Sequence, residues 1–341
     1  MVVHPILAGS IFNAGFFYIL SQPALWAGTI ALACPLTLAA TGGCISEKSG
    51  VVNVAMEGMM LAAAFFAAFT ADKVVNVFHA APWVASTSGV LAAIVTGSLT
   101  ALALGWCAIR WQANQIVVGV AINFIALGLT SYLFLTVYGQ TGLPQNEPGI
   151  PNTNIPVLSN IGFAHLGKIL FTQNIITYLA LVIVVLAYIF LFRTRIGLRI
   201  RSVGEHPRAA DTAGVHVQRI RYMAVVLSGS LSGLAGAFLA LQGITGGFAQ
   251  NMTNGRGFIA LAAMIVGKWN PFGAAVACLL FAFGQQLGFI LAGLSIGSYS
   301  FSQTQLNMIP YILTIIAVAG LVGRSIPPAA DGLPYDPAES A

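Results

Sequence analysis

The chain has 341 residues, of which 57% are hydrophobic and 7% charged, with 14 basic against 9 acidic side chains for a net charge of +5. Soluble domains carry roughly 45–50% apolar and roughly 25% charged residues, so the charges here are too few to cover a water-facing surface. A soluble enzyme, a nucleic-acid binder and a disordered tail are excluded, and an all-α polytopic membrane protein is expected.

In chain order, residues 5–20 read as either a full span or an interfacial helix. Apolar spans follow near 24–42, 54–71, 83–108, 115–135, 172–192, 222–241, 257–268, 272–292 and 306–323, giving about 9–10 transmembrane helices. No basic residue precedes Lys48, so the charged start of a signal peptide is missing and the first helices are expected to be retained. Cys34, Cys44, Cys107 and Cys278 lie far apart without CxxC or Cys/His spacing, and read as small buried hydrophobes. No metal site is expected.

The stretch Gly42 to Gly58 interrupts the first two spans, yet it is too apolar for an ordinary loop. It contains Glu47, Lys48, Ser49 and Asn53, and Glu57 then opens an uncharged run. Such a carboxylate should face protein or water, and irregular backbone at membrane depth is tolerated only where it is buried or lines a cavity. A tight surface turn is the competing reading. A second interruption runs from Gln242 through Gly246, Gly247, Gln250, Asn251 and Thr253 to Gly257, ahead of the short span 257–268. Paired interruptions in two halves of a chain point to a transport site. Asn123, Gln285 and Gln286 add uncharged polar groups inside spans. The expected path residues are therefore Glu47, Ser49, Asn53, Glu57, Asn123, Gln242, Asn251 and Gln285. Their near-neutral chemistry suits a neutral polar solute, although each amide alone also serves as glue between helices. Glu57 has a further reading, as a helix N-terminal carboxylate stabilised by the free N–H groups of the turn that follows it.

Seven of the 14 basic residues fall between spans five and six: Arg193, Arg195, Arg199, Arg201, Arg208, Arg219 and Arg221. The excess of basic residues on cytoplasmic loops places 193–221 inside, with Arg110 and Arg324, and puts 136–170 outside. Within that loop Pro207 suits a first helical position, Ala209, Ala210 and Ala213 favour helix, and Gly214 is a natural stop. A two-turn surface helix is predicted, either merely solvated or serving as a knob for a partner's groove. In span six, Gly229, Ser232, Gly233 and Gly236 form a small-residue surface that predicts close helix packing.

Enzyme motifs are missing. Gly255-Arg256-Gly257-Phe258-Ile259-Ala260 fits G-x-G-x-x-A, but no strand precedes it and no acidic residue follows before Asp331. No GxxxxGK[ST] occurs, so no P-loop is available for ATP hydrolysis. An ion-coupled secondary transporter is the rival from another class, and it would more often show a buried proton relay.

Several ordered blocks resemble permeases of the ribose and branched-chain amino-acid class of ABC importers, nearest to the shorter permease subunit of general nucleoside (simple-sugar) importers. They are Pro35–Ala40, Ile45–Asn53, Met56–Met60, Gly197–Glu205 with Pro207–Gly214, Asn251–Thr253 with Gly255–Ala263, and Pro334-Tyr335. His206 departs from the family, which more often has Asn there. The resemblance implies an ABC importer permease fold with two broken or short central spans, in one domain over 1–326 with a short cytoplasmic tail, 327–341. It assigns Gly197, Arg199, Gly204, Glu205, Pro207, Arg208, Ala209, Ala210, Asp211 and Gly214 to ATPase coupling. It also implies a second homologous permease, an ATPase with two nucleotide-binding domains that binds the ATP, and an extracytoplasmic solute-binding lipoprotein, in a bacterial inner membrane. Nucleosides or purine bases are the implied solute, with ribose-type sugars or branched-chain amino acids as the alternative.

Overall fold

The computed structural model describes residues 22–139, 173–242, 247–291 and 325–336, with isolated positions between 295 and 316. Segment 5–20, most of the loop 136–170 and nearly all of span 306–323 lie outside them. The helices are α1 (Pro23–Glu47), α2 (Met56–Asn76), α3 (Pro82–Gly105, continued by a π turn Trp106–Arg110), α4 (Gln115–Tyr138), α5 (Ile175–Arg193), α6 (Arg195–Glu205), α7 (Pro207–Thr212), α8 (Val217–Gln242), α9 (Arg256–Val266) and α10 (Pro271–Leu291). A two-residue antiparallel ladder pairs Ser295–Ile296 with Tyr299–Ser300. Among the described residues, seven helices are long and apolar enough to cross a membrane: α1 to α5, α8 and α10.

Local sequence accounts for most helix starts. Pro23, Pro82, Pro207 and Pro271 occupy first-turn positions, where a missing N–H costs nothing. Asn114 caps α4 by accepting from the Ile116 and Val117 N–H groups at 3.0 and 3.2 Å, and Asn174 caps α5 through Ile176 at 2.7 Å.

Two boundaries differ from the sequence reading. The first span continues helically through Gly42 and Gly43 to Glu47, so the interruption shrinks to Lys48–Ala55. The second span is not short, because α2 runs 21 residues to Asn76. Its far end keeps its polar residues within the helix: buried Asp72 accepts from Tyr138 Oη at 2.9 Å and Asn76 Nδ2 at 2.6 Å, and Lys73 Nζ lies 3.6 Å away.

Helices α1, α2 and α8 form the buried centre, whereas α3, α4 and α5 turn large apolar side chains outward. Phe124 and Leu181 are each 69% exposed, which suits lipid rather than water. Helices α3 and α8 run antiparallel along a seam of small residues. An added Cβ at Gly97 would strike the Gly229 carbonyl, one at Gly233 would strike that of Ala93, and Gly105 lies against Tyr222. On its other sides α8 meets α2 through Gly236 and α1 through Ser228, which sits over Gly42. The packing role expected for the span-six glycines is what these contacts describe.

One end of the bundle gathers the C-terminal ends of α1, α3 and α5, the starts of α4 and α8, both short helices α6 and α7, and residues 325–335. Gly204 rests on the Lys48 carbonyl, the Ala330 N–H donates to Gly204 O, and Tyr222 touches Gly105. Arg110, the arginines of 193–221 and the 325–335 segment thus share an end.

Candidate functional site

The interruption after α1 is knitted by side chains. Ser46 Oγ donates to Val51 O at 2.7 Å, and Ser49 Oγ donates to Ser46 O at 2.6 Å. Gly50 turns the chain at φ +85°, a conformation that glycine alone adopts freely. The Val52 N–H then donates to Gln115 Oε1 at 2.7 Å, and Asn53 Nδ2 donates to Ser228 Oγ at 2.8 Å. Asn123 clamps the re-entry point twice: its Nδ2 donates to Val54 O at 3.0 Å, and its Oδ1 accepts from the Gly58 N–H at 2.7 Å. Asn123 stands eight residues along α4 from Gln115, about 12 Å at 1.5 Å per residue. The non-helical backbone therefore re-enters well inside the bundle, with amide side chains replacing the partners that a helix would supply.

The second interruption meets the first. Glu57, 8% exposed, accepts from the Gly255 N–H through Oε1 at 2.8 Å and from the Gly257 N–H through Oε2 at 2.6 Å. Its carboxylate thus caps the start of α9, where free N–H groups and the helix dipole favour negative charge. Glycine is required at 257, since an added Cβ would overlap the backbone of Glu57. At the other end of α9, Trp269 Nε1 donates to Glu47 Oε2 at 2.6 Å, and both residues are buried. An 11-residue helix covers about 16 Å, roughly half the hydrocarbon thickness. The two carboxylates that border the first interruption hold this half-span at both ends. The chain reaches α9 past Phe248, whose ring lies 5.3 Å from that of Phe65 and 5.5 Å from that of Phe134.

The expected path residues divide. Glu47, Ser49, Asn53, Glu57 and Asn123 come together around this junction, each with a partner inside the protein. The sequence reading of Glu57 as a helix-start carboxylate names the right interaction, but the helix it caps is α9 rather than its own α2. Asn251 stands exposed at φ 54° in the turn before α9, and Gln285 is half-buried on α10; neither joins the junction. Gln242 ends α8. Ser46, Gln115, Ser228 and Trp269 were missed by sequence reasoning. Gln115 was within reach, as an amide in the first turn of a span; Trp269 and Ser228 gave no local signal.

The arginine-rich segment folds as two short helices. Thr194 Oγ1 accepts from the Gly197 N–H at 3.0 Å and donates to Phe190 O at 2.6 Å, while Gly197 fits where a Cβ would strike the Phe190 carbonyl. Gly204 is buried against the Lys48 carbonyl, so it joins α6 to the first interruption. Pro207 starts α7, and Gly214, at φ +82°, closes it with its N–H on Asp211 O at 2.8 Å. Glu205, Arg208 and Ala209 face outward and Asp211 is half-exposed; Ala210 turns inward to Val203, Val217 and Tyr335. Arg199 lines a cleft of about 190 Å³ with Gly214, Val215, His216, Arg219 and Ile220. Burial holds the Lys48 ammonium below the ordinary lysine range, an effect that Glu205 opposes.

A family model described as branched-chain amino acid transport system / permease component matches residues 25–323. The guanosine ABC transporter permease protein NupQ of Bacillus subtilis is 41% identical over 90% of this chain and 94% of its own length. The nucleoside ABC transporter permease protein NupC of Lactococcus lactis is 41% identical over 88% of this chain and 93% of its own. A Haloferax volcanii protein that bears the name putative glucose ABC transporter permease protein TsgC13 is 34% identical over 74% of this chain and 73% of its own.

Proposed function

The chain belongs to the branched-chain amino acid transport system permease component family, and from that premise we propose that it forms the translocation path of an ATP-driven nucleoside importer. It is a multi-pass membrane permease subunit, and ATP hydrolysis belongs to a separate subunit. The observation that carries the solute is the 41% identity, over about nine-tenths of the chain, to permeases named for guanosine and nucleosides. The glucose permease shares less and over a shorter stretch. A junction built from amides, hydroxyls and backbone, with its carboxylates engaged, agrees with a neutral ring solute. A secondary transporter would need no outward-facing docking helix.

The arginine-rich end faces the cytoplasm in this reading, because seven of the 14 basic residues cluster there. Helices α6 and α7 then present Arg199, Glu205, Arg208 and Ala209 to an ATPase with two nucleotide-binding domains. Gly204 and Ala210 anchor that surface from beneath. A second, homologous permease completes the path: Glu47, Glu57 and Asn123 are engaged within this chain, which favours a route along its surface against a neighbour. A solute-binding lipoprotein delivers from the opposite side. The bacterial inner membrane is the proposed location, and this chain itself carries no cofactor.

The test is uptake. In a strain lacking this chain, entry of labelled guanosine and uridine should fall while glucose and ribose entry continues. Loss of sugar uptake with nucleoside uptake intact would refute the solute. Uptake that follows a proton or sodium gradient without any ATPase would refute the ABC reading.

A further inference from the structure

Residues 325–335 belong to no span, yet they touch α6, α7, α8, α9 and the first interruption. Ser325 Oγ donates to Ile265 O, near the C-terminal end of α9, at 3.0 Å. The Ala329 N–H donates to Glu205 Oε2 at 3.2 Å, and the Ala330 N–H donates to Gly204 O at 2.9 Å, so two consecutive residues grip the end of α6. The Gly332 N–H donates to Gly50 O at 3.3 Å, and its φ of +76° brings the chain over the first interruption. Arg221 Nη1, at the start of α8, donates to Leu333 O at 2.9 Å. Tyr335 is then buried with Val203, Ala210 and Val217 beneath α6 and α7.

We propose that this segment is a coupling strap, a positioning element that carries displacement of α6 and α7 to both interrupted spans. The contacts form a continuous path: α7 rests on Tyr335, α6 is held at residues 329 and 330, the first interruption at 332, and α9 at 325. A loose tail would not hydrogen-bond to α6, α8, α9 and the first interruption within eleven residues, and ordering each residue costs about 1–2 kcal/mol of backbone entropy. The strap therefore moves with α6, and the Gly50 turn and the end of α9 move with the strap. Energetic coupling between separated sites travels through such contiguous contacts.

This inference rests on the reading of α6 and α7 as the ATPase-docking surface. The test uses the assembled transporter in proteoliposomes, with guanosine as the solute, comparing wild type, Tyr335→Ala, Gly332→Val and Tyr335→Phe. Retention of the ATPase, ATP hydrolysis and guanosine uptake are measured together. Tyr335→Ala and Gly332→Val are expected to keep the ATPase bound and hydrolysing, with guanosine moved per ATP falling about tenfold, an ordinary size for a coupling effect. Tyr335→Phe keeps the buried ring and should restore coupling. Should Tyr335→Ala fail to assemble, Gly332→Val, which leaves the ring in place, decides. Wild-type transport per ATP in both disruptive variants would overturn the strap. So would loss of the ATPase from both, which would make the segment part of the docking surface, or failure of both to assemble, which would make it a folding element. A wild-type permease that retains no ATPase would instead refute the docking reading itself.

Discussion

Glu57 Oε2 and the backbone N–H of Gly257 meet at 2.6 Å across 200 positions of sequence, and this contact joins the two interruptions of the chain. A helix start buried in a membrane protein leaves N–H groups that water cannot satisfy. Here one carboxylate takes two of them.

Glu57→Ala is expected to destabilise the protein by about 1–3 kcal/mol for each buried N–H left without an acceptor. Glu57→Gln retains one acceptor oxygen and should lose roughly half as much. Thermal unfolding in detergent checks both, and an alanine variant as stable as wild type would refute the clamp.

The other tether makes a paired prediction. Trp269→Phe removes the only hydrogen-bond donor on that side chain and leaves the buried Glu47 carboxylate short of a partner, a loss of about 1.5–3 kcal/mol. Combined with Glu47→Ala, the losses should be less than additive, because the two residues share one interaction. Simple additivity in the double variant would show that the contact contributes nothing.

Gly97→Ala should be destabilising by about 1–3 kcal/mol, because the new methyl overlaps the Gly229 carbonyl on the facing helix. Gly128→Ala on α4 is the control. Nothing lies within 4 Å of its added carbon, and alanine gains up to about 1 kcal/mol in helix propensity. Equal stability of the two variants would contradict the α3–α8 seam.

Single cysteines distinguish the faces of α7. Ala209→Cys should react quickly with a membrane-impermeant maleimide added from the cytoplasmic side and cross-link to the ATPase, whereas Ala210→Cys, 5% exposed, should react slowly. Reversed rates would contradict the helix orientation, and labelling solely from outside would invert the topology.

The strap should loosen as pH rises. Burial pushes the Asp331 carboxyl up from 3.8 to about 7, an effect opposed by Arg221 at the start of α8 and by Lys48. Glu47 at the end of α1, Arg201 and Glu205 on α6, and Tyr335 also stand near this contact. A raised carboxyl pKa means that the docked segment prefers the protonated form. Its docking is therefore strongest below pH 3.8 and weakens as pH climbs towards 7. The protection of the Ala330 amide, taken relative to its intrinsic base-catalysed exchange rate, should fall across that window, and Asp331→Asn should abolish the fall. An unchanged profile in the variant would assign the effect to another group.

Helix existence was legible because membrane spans advertise themselves by length and lack of charge. Pro23, Pro82 and Pro271 marked starts in the same local way. The site was legible as an anomaly but not as a geometry. Glu57 could be recognised as out of place, yet its partners lie two hundred residues away, and no spacing rule links them. Gly42 and Gly43 open the stretch that interrupts the first two apolar runs of the sequence, whereas Gly42 lets α8 approach α1 at Ser228 and Gly43 faces the Met56 and Met264 side chains. Asp72 lies just past the apolar run 54–71, and Tyr138 on α4 holds it within the continuing helix. In each case a tertiary partner reversed what local chemistry favoured.

The α3–α8 seam is a stiff spine of the bundle. Two long helices in backbone contact at Ala93–Gly233 and Gly97–Gly229 leave no slack for one to slide or tilt past the other. A permease that opens alternately to its two sides needs a part that stays still, and this antiparallel pair has the packing of such a part.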